Sequence, residues 1–590
     1  MYSMNKKIAG DWHPFFLWLS LVVCLLVTDV RAQTAASISL VVADEVDRSP
    51  LAYINVYNKS SNTGTATNAN GYCTIPFNQP GEWIRFTSVG YKTREIKAGL
   101  LQGVDTLYME PQATVLPEFN LSANEGYYIQ FFTKLKSSNK VAALGAKTYF
   151  LLETYQDNEQ MEMVEVYFNG QYHGYNIEQL DYKEGRIALK KLGTHYFVST
   201  GISKTFYNFN VFEADGLFPK NPLQMNTGEL KKKYHFSLSQ KYIDEGGHLV
   251  HAIKFYPKKE KSALFEGCIW IDSARSLIQK IQLTAHQTAV YPFLPLFPND
   301  SVAGVNLEMN ISFNEWKGGM VFDHLSFGYN FIYYPRDGHP YTIRSTATLH
   351  AYDFAQRFIL PLYGAEITST NDYRYVSSTP YNRVFWNDLK EFRLHAENNR
   401  NDVFFNEPGI VNSESFFGDN MAINRGFFQD PFLFWSNTRI QFRRLPEDSL
   451  KNKNTLGLMP ADLYHLGIDV YMDINLVNDS IQVLTATIYN PFTTFFYFPM
   501  DAWSDCFLNL YFDMVEIERR ALVAEINHTT QDAANMRTIY FTRLKAFKTL
   551  ADGFFMETEH GTNPEGMVKW NKYVEAHLGI NNMQIFGLVK

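Results

Sequence analysis

The sequence predicts a multidomain, β-rich α+β protein. Three observations carry that expectation. The chain has 590 residues, more than one core organises at roughly 100–200 residues per domain. Through about residue 375 its apolar residues recur with period two in runs broken by Asn-Gly, Pro-Gly and Gly-Gly, the pattern of half-buried strands joined by tight turns. Only near the C-terminus does a long stretch switch to helical spacing.

Residues 1–32 read as a secretory signal. Lys6 and Lys7 precede an apolar run, FFLWLSLVVCLLV, and Val30-Arg31-Ala32 offers a cleavage site after Ala32. The run is shorter than the ~20 residues a spanning helix needs. No later segment reaches that length without charges, so the mature chain is expected to have no transmembrane span. A net charge of −8 without a basic run argues against nucleic acid as a partner. Cys73, Cys268 and Cys506 form an odd, sparse set among apolar neighbours and are expected to be buried free thiols.

Residues 33–123 read as a small β-sandwich. Ser37–Ala43 is rich in β-formers, and Ala52, Ile54 and Val56 alternate with polar or aromatic residues. Asn62–Gly64 breaks the chain and Asn70-Gly71 is a tight-turn pair. Cys73, Ile75 and Phe77 share a face, Trp83–Val89 follows Pro80-Gly81, and Asp105–Met109 is the last strand. The order SPLAYINVYN, GTATNANGYCTI, IRFTSVGYKTREI, DTLYMEP resembles the carboxypeptidase-D regulatory-like domain, a transthyretin-like β-sandwich. Bacteroidota place this domain at the front of many exported proteins. The resemblance implies no catalytic residues, with Gly64, Gly71 and Gly90 at turns and Ile54, Ile75 and Phe86 in the core.

After a linker at Val115–Ala123, residues 124–375 are expected to form an antiparallel β-rich middle domain. A helix is expected near Glu125–Lys136. Strands are expected at Lys147–Tyr155, Met161–Phe168, Leu249–Tyr256, Gly267–Asp272 and Leu277–Thr284, and turns at Asn169-Gly170, Gly246-Gly247 and Asp337-Gly338. The stretch from Asn221 to Leu283 resembles the middle region of large Bacteroidota proteins that carry the same first domain. Its ending, Gly267 to Asp272 returning through Ile278 and Ile281, resembles lipoprotein-carrier half-barrels. That resemblance implies a curved sheet around a helix, either filled or holding an apolar ligand. His248 and His251, three apart on a strand, point to opposite faces and do not read as a metal pair.

Residues 376–435, rich in Asn, Asp, Phe and Tyr, read as an irregular connector with aromatic anchors. In residues 436–590, strands are expected at Ile440–Leu445, Ile468–Ile474 and Ser480–Tyr489. Helices are expected at Asp505–Asn527, Thr530–Leu550 and after Pro564, with Glu516, Glu518, Arg519 and Arg520 on the wet face of the first. The segments FLNLYFDMVEIERRALVAEI and FFMETEHGTNPEGMVKW resemble a family of secreted zinc-dependent proteases with a zincin-like α+β fold. That chemistry needs His-Glu-x-x-His on one helix. Here Phe507, Leu508 and Tyr511 stand at those positions, and only His560 remains as a possible ligand. The resemblance therefore implies a degenerate site with no metal, no cofactor and no catalysis, and Phe507 and Tyr511 as an apolar plug. The expected function is a non-catalytic binding or scaffold protein of the cell envelope. Its partner would be a protein or envelope component, with peripheral association to the outer membrane. The alternatives are a carrier of an apolar ligand and a hydrolase whose site the sequence does not reveal.

Overall fold

The computed structural model describes residues 36–61, 63–112, 125–135, 143–192, 195–196, 203, 209–259, 263–293, 295, 299–317, 319–336, 338–354, 356–363, 372–387, 391–413, 433–436, 439, 464–477, 480–489, 495–496, 501–529 and 532–589. The expected linker Val115–Ala123 and the expected strand Ile440–Leu445 lie outside them. So does Asp337 of the expected Asp337-Gly338 turn. The chain divides into a small compact unit, formed mainly by residues 36–88 and 93–110, and a large one formed by most of the chain from residue 111 onward.

The small unit is a β-sandwich of strands β1 (Ala36–Asp44), β2 (Asn55–Asn58), β3 (Thr63–Ala66), β4 (Tyr72–Phe77), β5 (Trp83–Thr87), β6 (Arg94–Lys97) and β7 (Thr106–Met109), with the short helix α1 (Ala98–Leu101). One sheet has the order β4-β1-β7 and the other β3-β2-β5-β6. Alternate residues of both sheets fill the core, including Leu40, Val42, Ile54, Cys73, Ile75 and Phe86. Gly71 has φ +72°, and a Cβ there would sit 2.6 Å from the Val42 carbonyl, so the Asn70-Gly71 turn requires glycine. Gly90 also has positive φ. Two expectations are corrected. Gly64 is a strand residue opposite Tyr57, not a turn. The strand expected from Ala52 begins at Asn55, because Tyr53 has φ 59°.

The large unit is built on one antiparallel sheet. Its strands are β8 (Ala143–Gln156), β9 (Glu159–His173), β10 (Asn176–Leu192), β11 (His195–Tyr196), β12 (Tyr234–Ile243), β13 (Leu249–Pro257), β14 (Glu266–Asp272), β15 (Leu277–Ala285), β16 (Ser301–Trp316), β17 (Gly319–Tyr334) and β18 (Tyr341–Tyr352). Their order is β11-β10-β9-β8-β18-β17-β16-β15-β14-β13-β12, and a twelfth strand, β19 (Ile410–Asn412), pairs with β10. Helix α2 (Glu125–Leu135) buries Tyr128, Ile129, Phe131, Phe132 and Leu135, a one-sided apolar stripe that docks on β12 and β13. Helix α3 (Thr227–Lys233) leads into β12 and starts from a capping box of Asn226 and Glu229.

Asn169-Gly170 is not a turn but lies inside β9. The Asn169 amide accepts from the Phe358 N–H (2.8 Å) and donates to its carbonyl (3.0 Å). Gly170 leaves room for the Tyr172 ring, which a Cβ would meet at 2.5–2.6 Å. The actual turns fall at Asp157-Asn158 and Gly174, all with positive φ. Gly247 turns as expected, with φ +78°.

The stretch expected as an irregular connector is largely helical where described. It carries the end of α4 (Asp372–Ser378), then α5 (Arg383–Asn387) and α6 (His395–Phe405), and Phe385, Trp386, Phe404 and Phe405 are buried anchors as expected. Further on come β20 (Leu433–Phe434), β21 (Tyr464–His465), β22 (Ile468–Val477), β23 (Ser480–Tyr489) and β24 (Phe495–Phe496), with a small sheet in the order β20-β23-β22. Helices α7 (Ala502–Asn527), α8 (Ala533–Thr558), α9 (Pro564–Leu578) and α10 (Asn582–Ile585) pack on it around Phe507, Leu510, Met514, Phe554, Met567 and Val574. Helix α8 runs past Leu550 until Glu559 and His560 take positive φ. Glu516 is not on a wet face but buried.

Candidate functional site

Alternation fixes two faces of the large sheet. Phe150, Leu152, Val164, Val166, Ile187, Phe327, Leu349, Ile253 and Ile281 share one face and belong to one buried apolar cluster. This face is the inside of a rolled sheet. The Tyr175 hydroxyl, at the β9–β10 turn, accepts from the Ile278 N–H of β15 (2.8 Å), and its ring packs on Phe313 of β16 at 4.8 Å. Between β9 and β15 lie four strands, so a flat sheet would hold them ~24 Å apart. The stacked rings of Tyr172 and Phe322 (5.1 Å), on β9 and β17, report the same curvature.

At this end aromatic rings fill the interior. At the other end Tyr291, Phe293, Tyr329, Phe331, Tyr333 and Tyr341 make a continuous rim of rings at centroid separations of 4.8–5.9 Å within its contacting pairs; Tyr333 meets Phe331 at 6.5 Å. Tyr291 and Tyr341 there are half-buried. One polar strip crosses the inner face: Glu162 pairs in register with Thr154, and Thr154 with Ser345, their hydroxyls 2.9 Å apart. Glu162 is fully buried.

The positions carried over from the protease resemblance lie on α7 and after α8. Phe507 and Leu508 are buried, and Tyr511 is partly so. Phe507 stacks on Phe554 (5.2 Å), and Tyr511 packs on Phe547, Phe554 and Phe555 at 4.9–6.2 Å. The residue after His560 meets this cluster: a Cβ on Gly561 would lie 3.0 Å from Phe507. Among the described residues no three of His, Cys, Asp and Glu gather as a metal site. His248 stands just before β13, against Asp244 and Arg275, whereas His251 lies on the inner face beside Phe131. Burial, helped by Lys241, pushes the His251 pKa down. Cys73, Cys268 and Cys506 take part in no disulfide and are buried. Burial pushes the Cys268 and Cys506 thiols up to about 12.

Sequence reasoning missed the polar groups on the outer face. Glu165, fully buried, holds Arg186 (2.6 Å) and Arg393 (3.4 Å), and Asp402 shares both. Burial pushes the Glu165 carboxyl up, but the two guanidiniums outweigh it and hold it below the usual range. Lys183, Glu184 and Asp473 form a second buried cluster.

Residues 38–118 match the CarboxypepD_reg-like domain, and residues 116–297 match a family of unknown function, DUF5686. No curated protein matches the chain. Among solved structures the chain is similar to a DUF1329 family protein from Desulfovibrio piger (6% identity, 40% of this chain and 93% of that one, TM-score 0.17). It is similar also to an outer membrane lipoprotein-sorting protein domain from Vibrio parahaemolyticus (11%, 40% and 94%, 0.18) and to a LolA superfamily protein from Nitrosomonas europaea (11%, 39% and 93%, 0.16). At such identities and TM-scores these likenesses assign no activity. No helix among the described residues is long and apolar enough to cross a membrane.

Proposed function

We propose that the chain is a non-catalytic binding protein of a bacterial cell envelope, and that its rolled sheet holds an apolar chain, such as a lipid acyl group, against the inner face. The observation that carries this reading is the apolar interior with its aromatic rim at Tyr291, Phe293 and Tyr341. Burying such a chain there would draw on the apolar area removed from water, roughly 25 cal/mol per Å². The polar strip of Glu162, Thr154 and Ser345 would meet a polar group on the same ligand. Solvent extraction and mass spectrometry of the purified protein should recover an apolar molecule. A fluorescent fatty acid should bind saturably, and Tyr291→Asp should weaken it without lowering the melting temperature. An empty extract together with no saturable binding would sink the carrier reading.

In residues 436–590 we read a protease-like frame that has lost its site, in a protein of Bacteroidota origin. Both statements rest on the sequence resemblance. The aromatic packing of Phe507 and Tyr511 fits the loss, because neither side chain binds metal in place of the paired histidines. Elemental analysis after dialysis should find no stoichiometric zinc, and stoichiometric zinc would refute it.

A further inference from the structure

Strand β10 bulges at Lys183. Tyr182 pairs with Phe168 and Glu184 with Tyr167, so Lys183 is the extra residue. A bulge re-aims side chains, and here both Lys183 and Glu184 turn to the outer face. They are buried there beside Asp473 of β22; Lys183 is 1% exposed and the two carboxylates 0%. The lysine ammonium has three N–H donors, and all are used: Asp473 Oδ1 at 2.6 Å, the Ile359 carbonyl at 2.7 Å and the Ile474 carbonyl at 3.1 Å. The other Asp473 oxygen accepts from Asn475 at 2.5 Å. Neither oxygen of Glu184 has a partner at full hydrogen-bond geometry; among the described residues only the Asn382 N–H and the Trp386 indole approach it loosely, and no cation bonds it.

Among the described residues, the other groups around Glu184 bring no spare cation. Strand β9 gives the Tyr167 phenol, which donates to the Phe392 carbonyl. Strand β10 gives Tyr182, bonded to Thr379, and Arg186, held by Glu165 and Asp402. Strand β22 gives Tyr471, whose hydroxyl is unpartnered. From the start of α5 come the Asn382 N–H and the Trp386 indole N–H, both neutral donors that approach Glu184 loosely, and Arg186 lies 4.6 Å over the indole ring. Two buried carboxylates thus face one ammonium that is already saturated. A buried side chain in that position takes a proton rather than remain an unpaired charge.

We propose that Glu184 is a proton-binding site that latches the β22–β23 ribbon to the sheet, the ribbon docking with uptake of one proton from solvent and lifting with its release. Burial, then the charge of Asp473, holds this carboxyl well above the usual glutamate range, in agreement with the geometry. The neutral acid offers a carbonyl oxygen to the Trp386 N–H and a donor O–H of its own.

The sign follows from linkage. A raised carboxyl stabilises docking fully below the ordinary glutamate value, and that contribution is lost as pH rises toward the raised one. Hydrogen exchange of residues 468–489 in the full chain, corrected for base catalysis, should therefore show ribbon opening that grows up to tenfold per pH unit across that window. Glu184→Gln should abolish this slope. Infrared difference spectra should show a protonated-carboxyl band in the wild type at neutral pH and none in the variant. Asp473→Asn removes the competing carboxylate charge and leaves the Lys183 ammonium to balance Glu184 alone, so the band should vanish although the glutamate remains; this variant and the wild-type spectrum decide the matter should Glu184→Gln fail to fold. A slope unchanged in folded Glu184→Gln, or no such band in the wild type, would overturn the proposal.

Discussion

Asp372, at the start of α4, accepts from the Ser203 N–H (2.7 Å) and hydroxyl (2.6 Å). Burial raises its carboxyl from 3.8 to about 6 in spite of those bonds. A raised carboxyl contributes stability that is full below the unfolded value and lost as pH rises through the folded one. Denaturation measured against pH should thus show a decline between about 4 and 6 that Asp372→Asn flattens. Glu165 has the opposite sign: its lowered carboxyl contributes stability above the ordinary range, lost as pH falls. Gly561 has φ +91° and lies against Phe507. Gly561→Ala should cost more than Gly579→Ala, since Gly579 has φ +71° but open space around it. The second change carries only the backbone term of about 1–2 kcal/mol, and urea titration of both variants separates strain from crowding. Asp513 is a third test. It binds Arg439 (2.6 Å), the Trp435 indole (2.7 Å) and Asn582 (2.6 Å). Asp513→Ala removes the buried carboxylate that the Arg439 guanidinium, the Trp435 indole and the Asn582 amide share, and should cost about 3–5 kcal/mol.

At the scale of elements, helix α7 was legible because Phe507, Leu510, Met514 and Ile517 recur at helical spacing over a long window. Its start was misplaced by three residues, because Asp501, which accepts from the Ser504 N–H (2.9 Å), is the cap. Asp501→Ala should lower stability by about 1 kcal/mol, read as a shift in the denaturation midpoint. Helix α6 was not legible. Its sequence HAENNRNDVFF buries Glu397, Asn398 and Asn401 against polar groups of the sheet, so no apolar stripe betrays it. The bulge at Lys183 hid the buried ion cluster for a related reason: strict alternation sends neighbours to opposite faces. Asn169-Gly170 failed in reverse, a turn signal overridden by the packing of Tyr172.

For the whole molecule, the multidomain β-rich architecture and the N-terminal sandwich could be read from period-two runs and turn pairs, because those signals are local. The rolling of the sheet was visible only through resemblance. It depends on contacts such as Tyr175 with Ile278, which no local pattern encodes. The three thiols test the packing of both units at once. Labelling of the native chain should be slow and that of the denatured chain fast, since burial removes access and, for Cys268 and Cys506, disfavours the thiolate.

The seam between β8 and β18 has a consequence in time. Thr154 and Ser345, bonded across it, stand 191 residues apart in sequence. A ribosome adds about 5–20 residues each second, so β8 waits on the order of ten to forty seconds before its neighbour exists. Throughout that wait β8–β10 present an unpaired apolar edge, the kind that recruits foreign strands. Slow closure of distant pairings is the rule for such topologies. In cell-free synthesis the folded yield should hence fall with the concentration of nascent chains far more steeply than stability would suggest, and a chaperone that covers the β8 edge should rescue it.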